Sequence, residues 1–364
     1  MNTEPFAHTL GPHNAKIMLV GEAWGNREAQ LKKPFVGWSG VELARMCGEA
    51  GLAAKFTLSR GSMETQLIGH WSCSKLLLTN VFADHPPDNK LDNWCCKKAD
   101  LPPEYALPSL TQGRYLRSEY TIHISRLFEE IAQVQPNLIV ALGGTAVWAL
   151  LGSGAITKLR GAVAFSEAAN CKVLPTYHPA AVLRQWTLRP IVVMDLLKAK
   201  RQMEFPEIRR PERWLLINPT LNDIEEWRLR PATHYAVDIE TANKQITMIG
   251  FARSKSDAIV IPFVKNNQSY WPTHEEERSA WQLVKTMLEG PQVKIFQNGL
   301  YDLSYLVSLG IRPKNCTEDT MLMHHALYPE VQKSLGFMGS IYTDEPAWKL
   351  MRERPKDQML KREE

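Results

Sequence analysis

Short apolar runs alternate with amphipathic stretches in the first 205 residues of the chain. Lys16-Ile17-Met18-Leu19-Val20 ends at Gly21, as expected of a buried strand that leads into a loop. Similar runs at Leu76–Thr79 and Leu138–Leu142 predict two more strands. Residues at helical spacing predict a helix between these two runs: Ile124, Leu127, Phe128 and Ile131. This alternation predicts a three-layer α/β/α fold with a parallel sheet.

Three loops in this half follow predicted strands directly, at residues 21–28, 79–89 and 175–184. The carboxyl ends of parallel strands meet at one edge of a sheet, and binding sites form there. We therefore expect the three loops to build one site.

A second pattern begins after the charged stretch 204–213, whose two prolines are typical of a linker. Further apolar runs predict a mixed sheet that is partly antiparallel. The predicted strands are Tyr235–Asp238, Thr247–Phe251, Ala258–Ile261 and Lys294–Phe296, and helices are predicted near 301–309 and 319–327. The expected organisation is a first domain, a linker and a second domain, over residues 1–205, 206–228 and 229–364.

Composition adds little to this picture. The net charge of +4 and the pI near 8.6 permit binding to nucleic acid. The sequence shows neither a membrane-spanning apolar run nor a secretory signal, so we expect a cytoplasmic protein of a bacterial or phage-infected cell, without a membrane partner. The six cysteines form no C-x-x-C pair and are expected to be reduced.

The first loop holds Gly21 and Glu22, and Phe35 follows in a glycine-flanked segment. A carboxylate directly after a strand can point into a crevice, and glycines let a loop approach a ligand closely. An aromatic ring in such a loop can stack on a base. Each residue also has an ordinary interpretation: a solvated turn for Glu22, and a core position for Phe35.

The other two loops contribute Asn80, His178 and Arg184. The amide of Asn80 offers both a donor and an acceptor to a pyrimidine edge, although Asn is also common in turns and caps. His178 is held in a restricted loop before Pro179, and Arg184 could reach a phosphate. A lone histidine is more often structural.

Together these elements resemble the uracil-DNA glycosylase superfamily, especially its family-4-like branch in bacteria and phages. That family carries a Gly-Glu-x-Pro-Gly loop, a Pro-Phe-Val-Gly segment, a Thr-Asn strand end and a His-Pro loop, and the resemblance covers residues 15–200. It implies that the chain binds DNA and excises a base that has left the stack. No cofactor is implied for this step.

The resemblance also implies roles for individual residues. Phe35 would stack on the flipped uracil, Asn80 would read its Watson–Crick edge, and His178 would stabilise the departing uracil anion. Glu22 would orient water or stabilise positive charge on the sugar. Four further residues are expected at the substrate: Gly21, Ala23, Trp24 and Arg184.

Two departures from the family pattern matter. Trp24 stands where the family usually has Pro, so the excised base is expected to be uracil or a related modified pyrimidine. Many members hold an iron–sulfur cluster through cysteines, two of them near the N-terminus. Residues 1–46 contain no cysteine, so we predict no iron–sulfur cluster.

In the second half, Asp238 and Glu240 lie on the same side of a predicted strand, and Asp302 opens a later helix. This order resembles the proofreading 3′–5′ exonuclease domain of family A DNA polymerases, an RNase H-like fold, over residues 230–345. The resemblance implies that the three carboxylates hold Mg²⁺ or Mn²⁺.

The third motif of that family, a Tyr or His followed at fixed spacing by Asp, is not found. Tyr342 precedes Asp344 at the wrong spacing, and His325 with Glu330 lies in the wrong region. We therefore expect a partial, inactive exonuclease-like domain that binds DNA. The alternatives are a non-catalytic phage replication module, the N-terminal part of a split DNA polymerase, or an exonuclease completed by a polymerase subunit or another replication protein.

Overall fold

The computed structural model describes residues 4–52, 55–60, 67–72 and 75–347. Side chains are described for all of these residues except 55–60 and 67–72. The chain divides into two compact units. The first unit comprises Met1–Arg209 together with Gly336–Glu364, and the second comprises Arg210–Leu335. Within the described part of the chain, no helix is long and apolar enough to cross a membrane.

The first unit contains nine described strands and seven helices before residue 209. The strands are β1 (Ile17–Gly21), β2 (Lys55–Arg60), β3 (Leu67–Ser72), β4 (Leu76–Asn80), β5 (Cys95–Lys97), β6 (Arg114–Leu116), β7 (Leu138–Leu142), β8 (Ala164–Ser166) and β9 (Cys171–Thr176). The helices are α1 (Asn26–Leu31), α2 (Trp38–Glu49), α3 (Ile122–Val134), α4 (Gly144–Leu151), α5 (Ile156–Leu159), α6 (Pro179–Arg184) and α7 (Arg189–Gln202).

The central sheet of this unit has the strand order β4-β1-β7-β9-β8. All neighbouring strands are parallel except β8, which runs antiparallel to β9. Because side chains alternate along a strand, β1 supplies both cores: Ile17 and Leu19 pack on one face, Met18 and Val20 on the other. Helices α2 and α7 cover the first face, α3 and α4 the second. The expected three-layer fold is confirmed.

The second unit is built on a six-stranded mixed sheet with the order β10-β13-β12-β11-β16-β17. Its strands are β10 (Trp214–Ile217), β11 (His234–Ala242), β12 (Gln245–Ser254), β13 (Asp257–Pro262), β14 (Val264–Lys265), β15 (Gln268–Ser269), β16 (Val293–Phe296) and β17 (Glu318–Asp319). The helices are α8 (Leu221–Leu229), α9 (His274–Glu289), α10 (Leu300–Ser308) and α11 (Thr320–Leu327). The expected mixed sheet, with an antiparallel portion, is confirmed.

The stretch 206–228, expected to be a linker, differs from that expectation. Strand β10 pairs in parallel with β13, and α8 begins with a capping box at Thr220 and Asp223. The prolines and charged residues that flank these elements made the stretch resemble a linker in the sequence. The domain limits at 205 and 229 stay predictions.

The chain returns to the first unit with α12 (Leu335–Tyr342). The Arg160 guanidinium lies 4.6 Å from the ring centre of Phe337 and donates to the Ser340 hydroxyl. Lys198 Nζ donates to the Thr343 carbonyl at 2.6 Å and to the Gly161 carbonyl at 2.8 Å. These buried basic side chains fix the returning segment to the first unit.

Candidate active site

The three expected loops meet at the carboxyl edge of the first unit's sheet and surround a cavity of about 330 Å³. Its lining combines carboxylates, amides, one imidazole and one phenyl ring: Glu22, Ala23, Gly25, Glu28, Phe35, Ser39, Asn80, Asn89, His178, Ala180 and Arg184. Six of the residues expected from the sequence are therefore brought together: Glu22, Ala23, Phe35, Asn80, His178 and Arg184.

Phe35 forms the apolar wall of the cavity and is only 5% exposed. Its φ of +54° lies in the left-handed region, which a bulky residue rarely adopts, and such backbone strain concentrates at functional sites. A Cβ atom at Gly40 would lie 1.8 Å from the Phe35 carbonyl oxygen. Gly40 is therefore required for the backbone to close around this ring.

Gly21 makes room for the two side chains that would hold a base. A Cβ atom there would lie 2.3 Å from Asn80 Oδ1 and 2.7 Å from Phe35 Cζ. Gly21 is thus expected to act through this close approach, and it is not among the residues that line the cavity.

Asn80 is the last residue of β4, and a buried ion pair that was not predicted from the sequence holds its backbone. Arg126 donates to the carbonyl oxygens of Asn80 and Val81 at 2.6 and 3.0 Å. Arg126 also pairs with Glu130 at 2.5 Å, one turn along α3, and both side chains are buried. The pair fixes the backbone at the strand end from which the Asn80 side chain enters the cavity.

Glu22 follows β1, and its Oε2 accepts a hydrogen bond of 2.6 Å from the Thr145 hydroxyl. Thr145 lies in the first turn of α4, after β7 and Gly143-Gly144. Its position just after a strand could have identified it as a site residue from the sequence. Glu28, also missed, accepts from the Gly37 backbone N–H at 2.9 Å and joins the first loop to the Phe35 segment.

His178 caps the start of α6, and its Nδ1 accepts a hydrogen bond of 3.1 Å from the Ala180 backbone N–H. Burial, assisted by the nearby Arg184 charge, lowers the pKa of His178 to about 4. The ring is therefore neutral at pH 7, and because Nδ1 accepts, its proton is on Nε2. This arrangement provides an N–H donor without a positive charge.

Trp24 is placed differently from the expectation that it contacts substrate. Its indole is 5% exposed and packs edge-on against His8, with ring centres 4.6 Å apart. It is not among the residues that line the cavity. The Trp24 indole, which stands in place of the family's Pro, packs into the core. The sequence of a loop does not show whether such a side chain turns towards the core or towards a ligand.

The described cysteines do not fit an iron–sulfur cluster, which needs four converging thiolates. Cys47 packs in the core on one face of the sheet, and Cys171 packs on the other, where its Sγ lies 3.1 Å from the Pro136 carbonyl. Cys316 belongs to the second unit.

The carboxylates expected to bind metal in the second unit are Asp238, Glu240 and Asp302. The buried Asp302 accepts a hydrogen bond of 3.0 Å from the Ile239 backbone N–H. Burial, followed by the Asp238 charge, raises the pKa of Asp302 to about 6. Among the described residues, no three His, Cys, Asp or Glu side chains are placed to hold an ion. The expected set of Asp238, Glu240 and Asp302 therefore does not fit a metal in this arrangement.

A three-layer α/β/α sheet with a polar, aromatic-walled cavity at its carboxyl edge defines a ligand-binding or catalytic α/β domain. Residues 8–203 match the family model described as uracil DNA glycosylase superfamily, and residues 219–352 match that described as 3′-5′ exonuclease. The chain belongs to the uracil DNA glycosylase superfamily. Both resemblances seen in the sequence, and the expected glycosylase-type enzyme class, are confirmed at this level.

Curated relatives resemble the first half of the chain. The type-4 uracil-DNA glycosylase of Thermotoga maritima is 28% identical over 194 residues, which are 52% of this chain and 79% of the relative. That of Archaeoglobus fulgidus is 28% identical over 196 residues, 52% of this chain and 77% of the relative.

Among solved structures, the EXD2 exonuclease domain soaked in Mg and GMP is 11% identical to this chain. The similarity covers 40% of this chain and 80% of that one, with a TM-score of 0.24.

Proposed function

We propose that the first unit excises uracil, or a closely related pyrimidine, from DNA by hydrolysing the bond between base and sugar. The observation that carries this proposal is the cavity that brings Glu22, Phe35, Asn80 and His178 together at the carboxyl edge of the sheet. The type-4 uracil-DNA glycosylases similar to this half support the choice of uracil.

The cavity selects its base by shape and hydrogen bonding. The base leaves the DNA stack and enters against the Phe35 ring. The Asn80 amide offers one acceptor and one donor, which match the N3–H and a carbonyl oxygen of uracil. Arg126 fixes the backbone of Asn80, so the point from which the amide reaches the base is set before the base arrives.

His178 stabilises the leaving group. As the bond between C1′ and N1 breaks, its electron pair moves into the uracil ring and negative charge develops on O2. The Nε2–H of neutral His178 donates to that oxygen. A preorganised donor of this kind contributes about 3 kcal/mol to lowering the barrier.

Glu22 acts on the other side of the broken bond. Positive charge develops on the sugar, and the carboxylate stabilises it. The Thr145 hydroxyl holds Oε2, and Oε1 orients the attacking water. Water adds to C1′, its proton passes to the carboxylate and then to solvent, and the products are free uracil and an abasic site.

Release of free uracil from a uracil-containing oligonucleotide tests this proposal. We expect Glu22→Gln to lower kcat at least about 100-fold, because the amide carries no negative charge. Glu129→Gln, at an exposed position on α3, is the matched control and should leave kcat unchanged. Unchanged activity of Glu22→Gln would remove Glu22 from the mechanism.

For the second unit we propose DNA binding without cleavage. The proposal is supported by the match of residues 219–352 and by carboxylates whose arrangement does not fit a metal. Incubation of the full chain with a 3′-labelled strand and Mg²⁺ or Mn²⁺ tests it. Metal-dependent shortening of the strand would overturn it.

A further inference from the structure

Two large aromatic side chains stand exposed at the rim of the cavity. The Trp38 side chain is 58% exposed, and that of Trp186 is 61% exposed. Trp38 directly precedes Ser39, and Trp186 follows Arg184 by two positions; both Ser39 and Arg184 line the cavity. Each indole therefore offers a flat, accessible face next to a residue that lines the cavity.

Helix α2 and the Glu42–Arg189 ion pair connect the two indoles. Trp38 and Glu42 lie four residues apart on one face of α2. Glu42 Oε1 accepts a hydrogen bond of 2.8 Å from Arg189, whose guanidinium lies 5.3 Å from the ring centre of Trp186. Helix α2 also packs against α6, the helix that leads to Trp186.

Trp186 is preorganised to present one face of its ring. Arg189 covers the other face and is fixed twice, by Glu42 and by Glu49 at 2.8 and 2.7 Å. A ring held in this way loses little conformational freedom when a flat partner stacks on it. Glu42 and Glu49 compensate the charge of Arg189, so the cation at the cavity that favours an anionic partner is Arg184.

These observations single out one occupant. Two separate rings beside a base-sized cavity, which Arg184 also lines, match a polyanion that carries flat groups at intervals. A nucleic-acid strand has this chemistry. A protein partner would instead need a continuous apolar surface around the rings.

We propose that Trp38 and Trp186 stack on the bases that flank the excised nucleotide and give the enzyme a preference for single-stranded DNA. This inference rests on the proposed function. In a duplex the flanking bases are already stacked and paired, so their faces are not available. In a single strand they are free to stack on the indoles.

The test measures binding of labelled single and double strands to the full-length chain by fluorescence anisotropy. Each strand carries one 2′-fluoro-deoxyuridine, whose fluorine destabilises positive charge on the sugar and keeps the base attached. Trp38→Ala and Trp186→Ala should each raise the Kd for the single strand about tenfold. The Kd for the duplex should change less than about threefold. Trp38→Phe and Trp186→Phe should restore most of the binding, because a phenyl ring still stacks.

Phe165→Ala is the matched control, because Phe165 is 42% exposed but lies on the edge strand β8 and does not line the cavity. Steady-state excision provides a second readout, in which the Ala variants should raise KM for the single strand and keep kcat. Equal weakening for both strand types, an equal effect of Phe165→Ala, or unchanged binding would overturn the inference. If no uracil is released at all, the proposed function fails, and the binding measurements still decide whether the indoles hold a single strand.

Discussion

Each unit carries carboxylates at or just after a strand of its sheet, yet the two sets lie in opposite environments. Glu22 reaches a cavity, and a hydroxyl, Thr145, holds one of its oxygens. Asp302 is buried, accepts from a backbone N–H, and has its pKa raised by burial and by Asp238. The first arrangement leaves one carboxylate oxygen facing a ligand cavity, whereas burial shifts the pKa of the second carboxyl upwards. The residue type alone therefore does not decide the chemistry; the neighbouring groups do.

The largest expected effect comes from the residue that supplies the neutral donor of the first site. His178→Ala should lower kcat about 100- to 1000-fold, because the developing charge on uracil loses its hydrogen bond. KM should change little, since the ground-state base gains less from this donor. Steady-state release of uracil measures both. His274→Ala, exposed in the second unit, is the control, and a loss below about threefold for His178→Ala would contradict the assigned role.

An intermediate effect is expected from crowding the same cavity. Gly21→Ala places a methyl group against Asn80 and Phe35, so both must shift. Displacements of this size misalign the base, and kcat/KM should fall about 10- to 100-fold. Gly339→Ala meets no atom within 4 Å and serves as the control. Full activity of Gly21→Ala would show that the cavity tolerates a wider base position.

The smallest effect is on stability, in the second unit. The folded pKa of Asp302, about 6, exceeds its ordinary value of 3.8, so the folded state loses stability relative to the unfolded state as the pH rises from 3.8 to about 6, and this loss is complete above pH 6. Asp302→Asn keeps an oxygen for the Ile239 N–H and should stabilise this unit by about 2 kcal/mol at pH 7. The gain should disappear as the pH falls from 6 to 4.

Denaturant unfolding of wild type and Asp302→Asn at pH 7 and pH 4 measures this difference. Adding Mg²⁺ sharpens the comparison between the units. If the wild type gained stability from Mg²⁺ and Asp302→Asn did not, the carboxylates of the second unit would form a metal site. Asp302 would then face a ligand, as Glu22 does.

Much of the first unit follows from local rules. Strands such as β1 and β7 are continuous apolar runs, and a parallel sheet brings the loops after them together. The positions of Glu22, Asn80 and His178 could therefore be predicted from the sequence. The direction of Trp24 could not, because a loop residue can turn towards ligand or core at similar cost.

Two other features lay beyond the sequence for physical reasons. Arg126 and Glu130, one helical turn apart, have the spacing of a solvated surface pair, yet both are buried behind Asn80. Strand β10 is short, and three of its four residues are exposed, so its apolar pattern is faint. Only pairing with β13, distant in sequence, defines it.

The return of the chain to the first unit at Gly336 has a consequence for biosynthesis. During translation, residues up to Arg209 leave the ribosome roughly ten seconds before α12 does. For that interval Arg160 and Lys198 lack Ser340 and Thr343, their later partners. While the second unit is synthesised, Arg160 keeps its ion pair with Asp195 and Lys198 its hydrogen bond to the Gly161 carbonyl, and the nascent first unit leaves the faces of both cations that α12 later contacts open. Its native state is completed last, although its sequence begins first.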